Sequence, residues 1–225
     1  MTQVKKNIPS PEYLSERFPK DYPVILFDAG HGGIIGGEYQ TSGKRSPKWD
    51  DGRQLFEGEF NRDIVARIMI MMNEHNFPFV DVVNTLEDKP LRERTKTANK
   101  YFHTVTEDCI LCSIHANAGG GTGHETFTSP GLTDSDAYAE VIIKHLVEGF
   151  PELRLRKDDD DGDNDKEAKF WMVTKTEMPA FLIECAFMDT KYPDCELMLS
   201  EDGRQRFAEA IFSGLKEIIL NYKAK

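Results

Sequence analysis

His31, Glu57, His115 and Glu184 are the residues of this chain whose types and settings could do chemistry together. Three of them close apolar runs: VILFDAGH ends at His31, CILCSIH at His115 and AFLIE at Glu184. Each run reads as a buried strand of a parallel sheet. Such sheets bind ligands outside the carboxyl ends of their strands, so the three side chains are expected to face one crevice. Glu57 opens the first long helical pattern, which follows the first strand and so begins near the same edge. Two imidazoles and one carboxylate suit zinc, a borderline-soft ion that in enzymes keeps a position open for water. A centre of that kind lowers the pKa of water to about 7 and polarises a carbonyl. Glu184, not needed as a ligand, could then take the water's proton and pass it to a leaving nitrogen. Together these groups spell hydrolysis. Read singly, each also has an ordinary role, a strand-end histidine as a hydrogen-bonding group and Glu57 as an acid favoured at its helix's positive end. His75, His103, His124 and His145 are read in that ordinary way, with His124 the one placed to neighbour the crevice.

The elements that must position these residues alternate along the chain. After VILFD (24–28), the glycine cluster of residues 29–33 makes a sharp exit, and residues 34–56 read as a long loop without a period. Phe60, Ile64, Ile68 and Met72 recur at helical spacing, followed by a strand at 79–83, a helix from Leu91 to Phe102 and a strand at 109–115. GHETFTS (123–129) suggests another strand and Tyr138 to Phe150 a helix. Two strands are expected at Phe170–Val173 and Ala180–Cys185, and a final helix at about 203–222. Alternation of this sort predicts a single α/β domain, residues 23–225, with a mainly parallel twisted sheet of about six strands and helices on both faces. Residues 1–22, polar and proline-bearing, read as an arm.

Composition narrows the partners. With 225 residues the chain fills one domain, and 39 acidic against 28 basic residues give a net charge of −11. That charge, with no local basic patch, argues against nucleic acid and anionic membranes as partners. No apolar run approaches the ~18 residues of a membrane span. Pro9, Pro11 and charges interrupt the amino terminus where a signal peptide needs an apolar stretch, so export is not expected. Four cysteines, three of them in strand-like runs, read as buried thiols. Cys109 and Cys112 should point to opposite faces of their strand and so form no zinc knuckle. Residues 158–167 (DDDDGDNDKE) read as a solvated acidic loop, with a mobile lid or a weak cation site as the alternatives. They fail as an EF-hand, because placing Gly162 sixth puts Lys157 first and Ala168 twelfth, where acids are required.

The ordered segments DAGHGG (28–33), EGEFN (57–61), LRERTKTAN (91–99), SIHAN (113–117), GHETF (123–127) and MPAFLIECAFM (178–188) resemble the zinc-dependent N-acetylmuramoyl-L-alanine amidases of the type-3 catalytic domain, found in bacterial cell-separation amidases and phage endolysins. The resemblance runs from about Val24 to Tyr222. It implies one zinc per chain on His31, Glu57 and His115, with Glu184 as the catalytic glutamate. Glu59 is the rival for Glu57, but the family's ligand lies four residues before the Asn, here Asn61. Asn117 matches the Asn of the family's HAN motif, a candidate site-wall group, and Arg94 and Asn99 match scaffold positions. The implied substrate is peptidoglycan, cut between N-acetylmuramic acid and L-alanine of the stem peptide. A monomeric phage endolysin, held in the host cytoplasm until lysis, is the expected setting. An exported amidase shorn of its signal would read the same. The alternatives are an inactive amidase-like domain that binds wall or a regulatory partner, and a same-fold zinc hydrolase of another amide. The stretch between His31 and Glu57 is longer than the family's usual one. Arg45 and Arg53 on this insertion are candidate partners for a stem carboxylate, since Arg binds carboxylates with two prongs.

Overall fold

The structure, a computed structural model, describes residues 22–158 and 162–223. Apart from Tyr22, the expected arm lies outside the described residues. The strands are β1 (Val24–Ala29), β2 (Ile34–Ile35), β3 (Glu38–Tyr39), β4 (Phe79–Asp81), β5 (Cys109–Asn117), β6 (Glu125–Thr128), β7 (Lys166–Glu167) and β8 (Ala180–Phe187). The helices are α1 (Glu57–Glu74), α2 (Leu91–Thr104), α3 (Asp134–Gly149), α4 (Trp171–Thr174), α5 (Glu196–Leu199) and α6 (Glu201–Asn221). Six strands form one sheet in the order β4-β1-β5-β8-β6-β7, with β2 and β3 a separate hairpin.

The four strands β4, β1, β5 and β8 pair in parallel, and β6 runs antiparallel to β8. β1, β5 and β8 are buried along nearly their whole length, as continuous apolar runs of a sheet covered on both faces must be. One face packs against Phe60, Ile64 and Ile68 of α1, Ile142 and Leu146 of α3, and Phe207, Ile211 and Leu215 of α6. On the other face, Ala98 and Tyr101 of α2 and Met172 and Val173 of α4 cover Leu26, Leu111 and Leu182. Cys109 and Cys112 fall in these two opposite layers and, like Cys185 and Cys195, are buried free thiols. No described helix is long and apolar enough to cross a membrane.

The expected strand at Phe170–Val173 is instead the helical turn α4, with Phe170 O accepting from Thr174 N at 3.0 Å. Four apolar residues are too few to separate a strand from a helical turn by period, and here the turn buries Met172 and Val173 against the sheet. The sixth strand is β7, inside the acidic run. That segment is accordingly not a wholly solvated loop, and Asp165 within it is 1% exposed. Residues 34–56 also hold regular structure, the hairpin β2–β3, whose Gly36–Gly37 turn takes positive φ at both positions.

The consequence for function lies in the crossovers. β1 leads through α1 on one face to β4, and β4 leads through α2 on the other face to β5. The chain thus departs from β1 to both sides, and a crevice opens at the carboxyl ends of β1 and β5, as it does wherever strand order switches in such sheets.

Candidate active site

His31 follows β1 with φ +64°, a left-handed conformation unusual for a residue with a side chain. The loop is held in it by a ring of donors to its carbonyls. Arg94 gives Nη1 to Ala29 O at 2.7 Å and Nη2 to His31 O at 2.9 Å, while its Nη1 also pairs with Asp28 Oδ1 at 2.8 Å. Arg62 gives Nη2 to His31 O at 2.7 Å, and Asn61 Nδ2 donates to Gly30 O at 3.1 Å. Two glycines allow the close approach: a Cβ on Gly30 would sit 2.2 Å from the His115 ring, and one on Gly58 would sit 1.9 Å from Gly32 O. Asp28, in β1, accepts from Arg94 and from the Ser113 hydroxyl, the latter at 2.7 Å, and so is spent on the scaffold and not on the histidines.

Glu57 is the first residue of α1, 1% exposed, with its N–H on Lys44 O at 3.0 Å. Its Oε1 lies 3.1 Å from His115 Nδ1 and accepts from Ala116 N at 3.3 Å. His31 Nε2 lies 3.2 Å from the same oxygen without the alignment of a hydrogen bond. Burial opposes the Glu57 charge, but the His115 and His31 imidazoles and the helix's positive end hold it well below the usual carboxylate range. In turn Glu57, then Glu184, hold the His115 pKa up against burial.

His115 and Glu184 face each other in the β5–β8 register, and Glu184 faces Glu125 in the β8–β6 register. Glu184 Oε2 is buried and makes no hydrogen bond. Burial pushes its carboxyl up to about 7, with Glu57 and Glu125 adding to the rise and His115 opposing it. A carboxyl that titrates near neutrality with one oxygen uncommitted is suited to accept and return a proton.

The remaining residues singled out in the sequence are placed as follows. Asn117 donates Nδ2 to Glu125 Oε1 and accepts from Ala118 N at 2.8 Å, so it fixes the wall through Glu125. Asn99 ties α2 to the turn after α4, donating to Lys175 O at 3.0 Å. Glu59 pairs with Arg204 at 2.8 Å and stays off the histidines. Arg53 is committed to Asp51 and Glu196, both at 2.7 Å, and Arg45 is exposed. The insertion's cation nearest the crevice is Lys44, with Nζ 4.0 Å from Glu57 Oε2. Sequence reasoning did not single out Glu125, which Arg156 and Lys166 also hold, at 3.2 and 2.6 Å. Its signal was the register of β6, which sets its first residue opposite Glu184.

One donor atom each from His31, Glu57 and His115 lies within 4.8 Å of the others, and Glu57 Oε2 and His31 Nε2 are buried with no hydrogen bond. Two nitrogens and a carboxylate oxygen, partly unsatisfied and buried, fit zinc. A strand-end crevice with such a donor set and an uncommitted carboxylate beside it has the layout of a metal-assisted hydrolase. The chain matches the family model of the N-acetylmuramoyl-L-alanine amidases over residues 25–217 and belongs to that family. It is 29% identical over 201 residues to an uncharacterized cell wall amidase of Bacillus anthracis, covering 85% of this chain and 34% of that protein. It is 28% identical over 192 residues to the N-acetylmuramoyl-L-alanine amidase CwlM of Bacillus licheniformis, covering 85% of this chain and 66% of that one. The match thus spans a third to two thirds of the length of these relatives. An N-acetylmuramoyl-L-alanine amidase from Clostridium difficile 630 shares the fold, with a TM-score of 0.70 at 23% identity over 90% of this chain and 99% of that one.

Proposed function

We propose that this chain is a zinc-dependent amidase that cleaves the bond between N-acetylmuramic acid and L-alanine in peptidoglycan. The observation that carries it is the meeting at one strand edge of three donors and Glu184, a carboxylate whose Oε2 is buried and makes no hydrogen bond. Family membership supports the substrate. His31, Glu57 and His115 would hold the zinc, which when bound supplies Lewis acidity, bringing water to a pKa of about 7 and polarising a carbonyl. Glu184 takes the proton of the attacking water and returns it to the departing alanine nitrogen, so one group serves as base and then acid. Asn117 and Lys166 fix Glu125, whose negative charge keeps the Glu184 proton affinity high. Lys44, with Nζ 4.0 Å from Glu57 Oε2, is placed to meet a stem carboxylate bound beside these residues. Arg45 remains a candidate for that contact, whereas Arg53 would first have to leave Asp51 and Glu196.

The lytic setting, an endolysin released onto the wall, belongs to the same proposal, since cutting stem peptides from the glycan strands loosens a cross-linked wall. The deciding experiment is zinc content and hydrolysis of purified sacculi measured on one preparation, with new L-alanine amino termini as the expected product. Zinc-loaded, folded protein that releases no such termini would refute the reading.

A further inference from the structure

Away from the crevice, α3 and the segment entering β7 bring together a second set of oxygen donors. Glu140, Asp163 and Asp165 each offer a carboxylate oxygen within 4.8 Å of the other two. That is the span covered by a cation holding oxygens on opposite sides at about 2.4 Å. A gathering of acids is by itself common on surfaces. Asp165 sets this one apart, because it is 1% exposed, spends Oδ2 on the Thr128 hydroxyl at 2.7 Å, and leaves Oδ1 buried with no hydrogen bond. A buried carboxylate oxygen without a donor is costly unless a cation meets it or the carboxyl takes a proton. Lys166, its neighbour in sequence, commits its ammonium to Glu125.

The Glu140 carboxylate is also held in place. Asn164 donates its backbone N–H to Glu140 Oε1 at 2.6 Å and its Nδ2 to Oε2 at 2.8 Å. Such outer hydrogen bonds orient carboxylates for a metal, here with Thr128 doing the same for Asp165. An all-oxygen, all-carboxylate set selects a hard cation, and calcium tolerates irregular geometry where magnesium demands a tight octahedron. The ligands come from a helix and from a segment 23 to 25 residues further on, so the EF-hand spacing test does not apply to them.

We propose that Glu140, Asp163 and Asp165 bind one calcium ion, which clamps residues 163–167 and the edge strand β7 onto α3 and β6. The proposal is independent of the zinc reading. Its test is calcium titration of the whole protein by calorimetry and by thermal unfolding. One calcium per chain is expected, with affinity in the range of extracellular calcium modules, about 10⁻⁴–10⁻³ M. At a hundredfold excess over Kd the Tm should rise by roughly 5–10 °C. Asp165→Asn and Glu140→Gln should each unfold no earlier than the parent without calcium, since each removes mutual repulsion, and should lose at least tenfold in affinity. If Asp165→Asn does not fold, Glu140→Gln and Asp163→Asn decide. Absence of binding at about 10 mM calcium, unaltered affinity in the variants, or an equal response to magnesium would each overturn the assignment.

Discussion

Burial acts on Glu184 and His124 with opposite results, because each is driven toward its neutral form. The Glu184 carboxyl rises to about 7 and so can carry a proton in both directions at neutral pH. Glu184→Gln keeps the size while removing that exchange. It should fold, keep zinc and lose about 10²-fold or more in kcat, read from turnover on soluble muropeptides alongside metal analysis. Loss of zinc would instead make Glu184 a ligand. His124, 0% exposed with neither ring nitrogen hydrogen-bonded, is pushed down to about 4 by burial, with Asp194 opposing. A folded-state pKa below the unfolded value of about 6.5 means that the unfolded chain binds the proton more readily. Stability should therefore fall as pH drops from about 6.5 through about 4, by on the order of 3 kcal/mol from this one group. His124→Leu, of similar volume, should flatten that part of the curve in denaturant titrations. An unchanged slope would show that His124 is not the group responsible.

At the scale of elements, the end of β1 is shaped less by its own residues than by α2, which reaches across with Arg94. That guanidinium, 2% exposed, neutralises buried Asp28 and binds the carbonyls on either side of Gly30. Arg94→Met leaves a buried carboxylate without its partner and should cost about 3–5 kcal/mol in denaturant unfolding. It should also weaken zinc binding by about 10–100-fold, because the loop that presents His31 loses its support. Unaltered metal affinity would confine Arg94 to stability. The strand that leads into His31 and the two that carry His115 and Glu184 were legible in the sequence because long buried parallel strands carry unbroken apolar runs, although β5 and β8 run on to Asn117 and Phe187, past the ends expected for them. Glu57 was legible because α1 has a clear period. Arg94, Asn61 and Arg62 show where legibility stops: their roles depend on carbonyls more than 30 residues away in the chain, and no local pattern encodes that pairing. Phe170–Val173 was misread for the converse reason, since four apolar residues suit either element until packing chooses.

For the whole molecule, the proposed zinc centre would join the loop after β1 to α1 and β5, so metal and fold should be thermodynamically linked. At zinc about 1,000-fold above Kd the native state gains about 4 kcal/mol, and stripping the metal should lower Tm by roughly 10 °C for a domain of this size. Adding back zinc should restore it where calcium does not, and His115→Ala should show no zinc response. Equal Tm values with and without zinc would mean that the metal binds without bracing the fold. The hairpin of β2 and β3 leads to a different matter. Tyr39 anchors its base, accepting from Gly58 N at 2.9 Å and packing on Phe56, whereas an added Cβ on Gly36 or Gly37 would meet nothing within 4 Å. Base and tip thus obey different rules: packing sets the base, whereas the tip has open space around it but holds both glycines at positive φ, where a side chain is strained. A tag or a fluorophore spliced in at Gly36–Gly37 would ride on the open tip of the hairpin, clear of the base that Tyr39 ties to the start of α1.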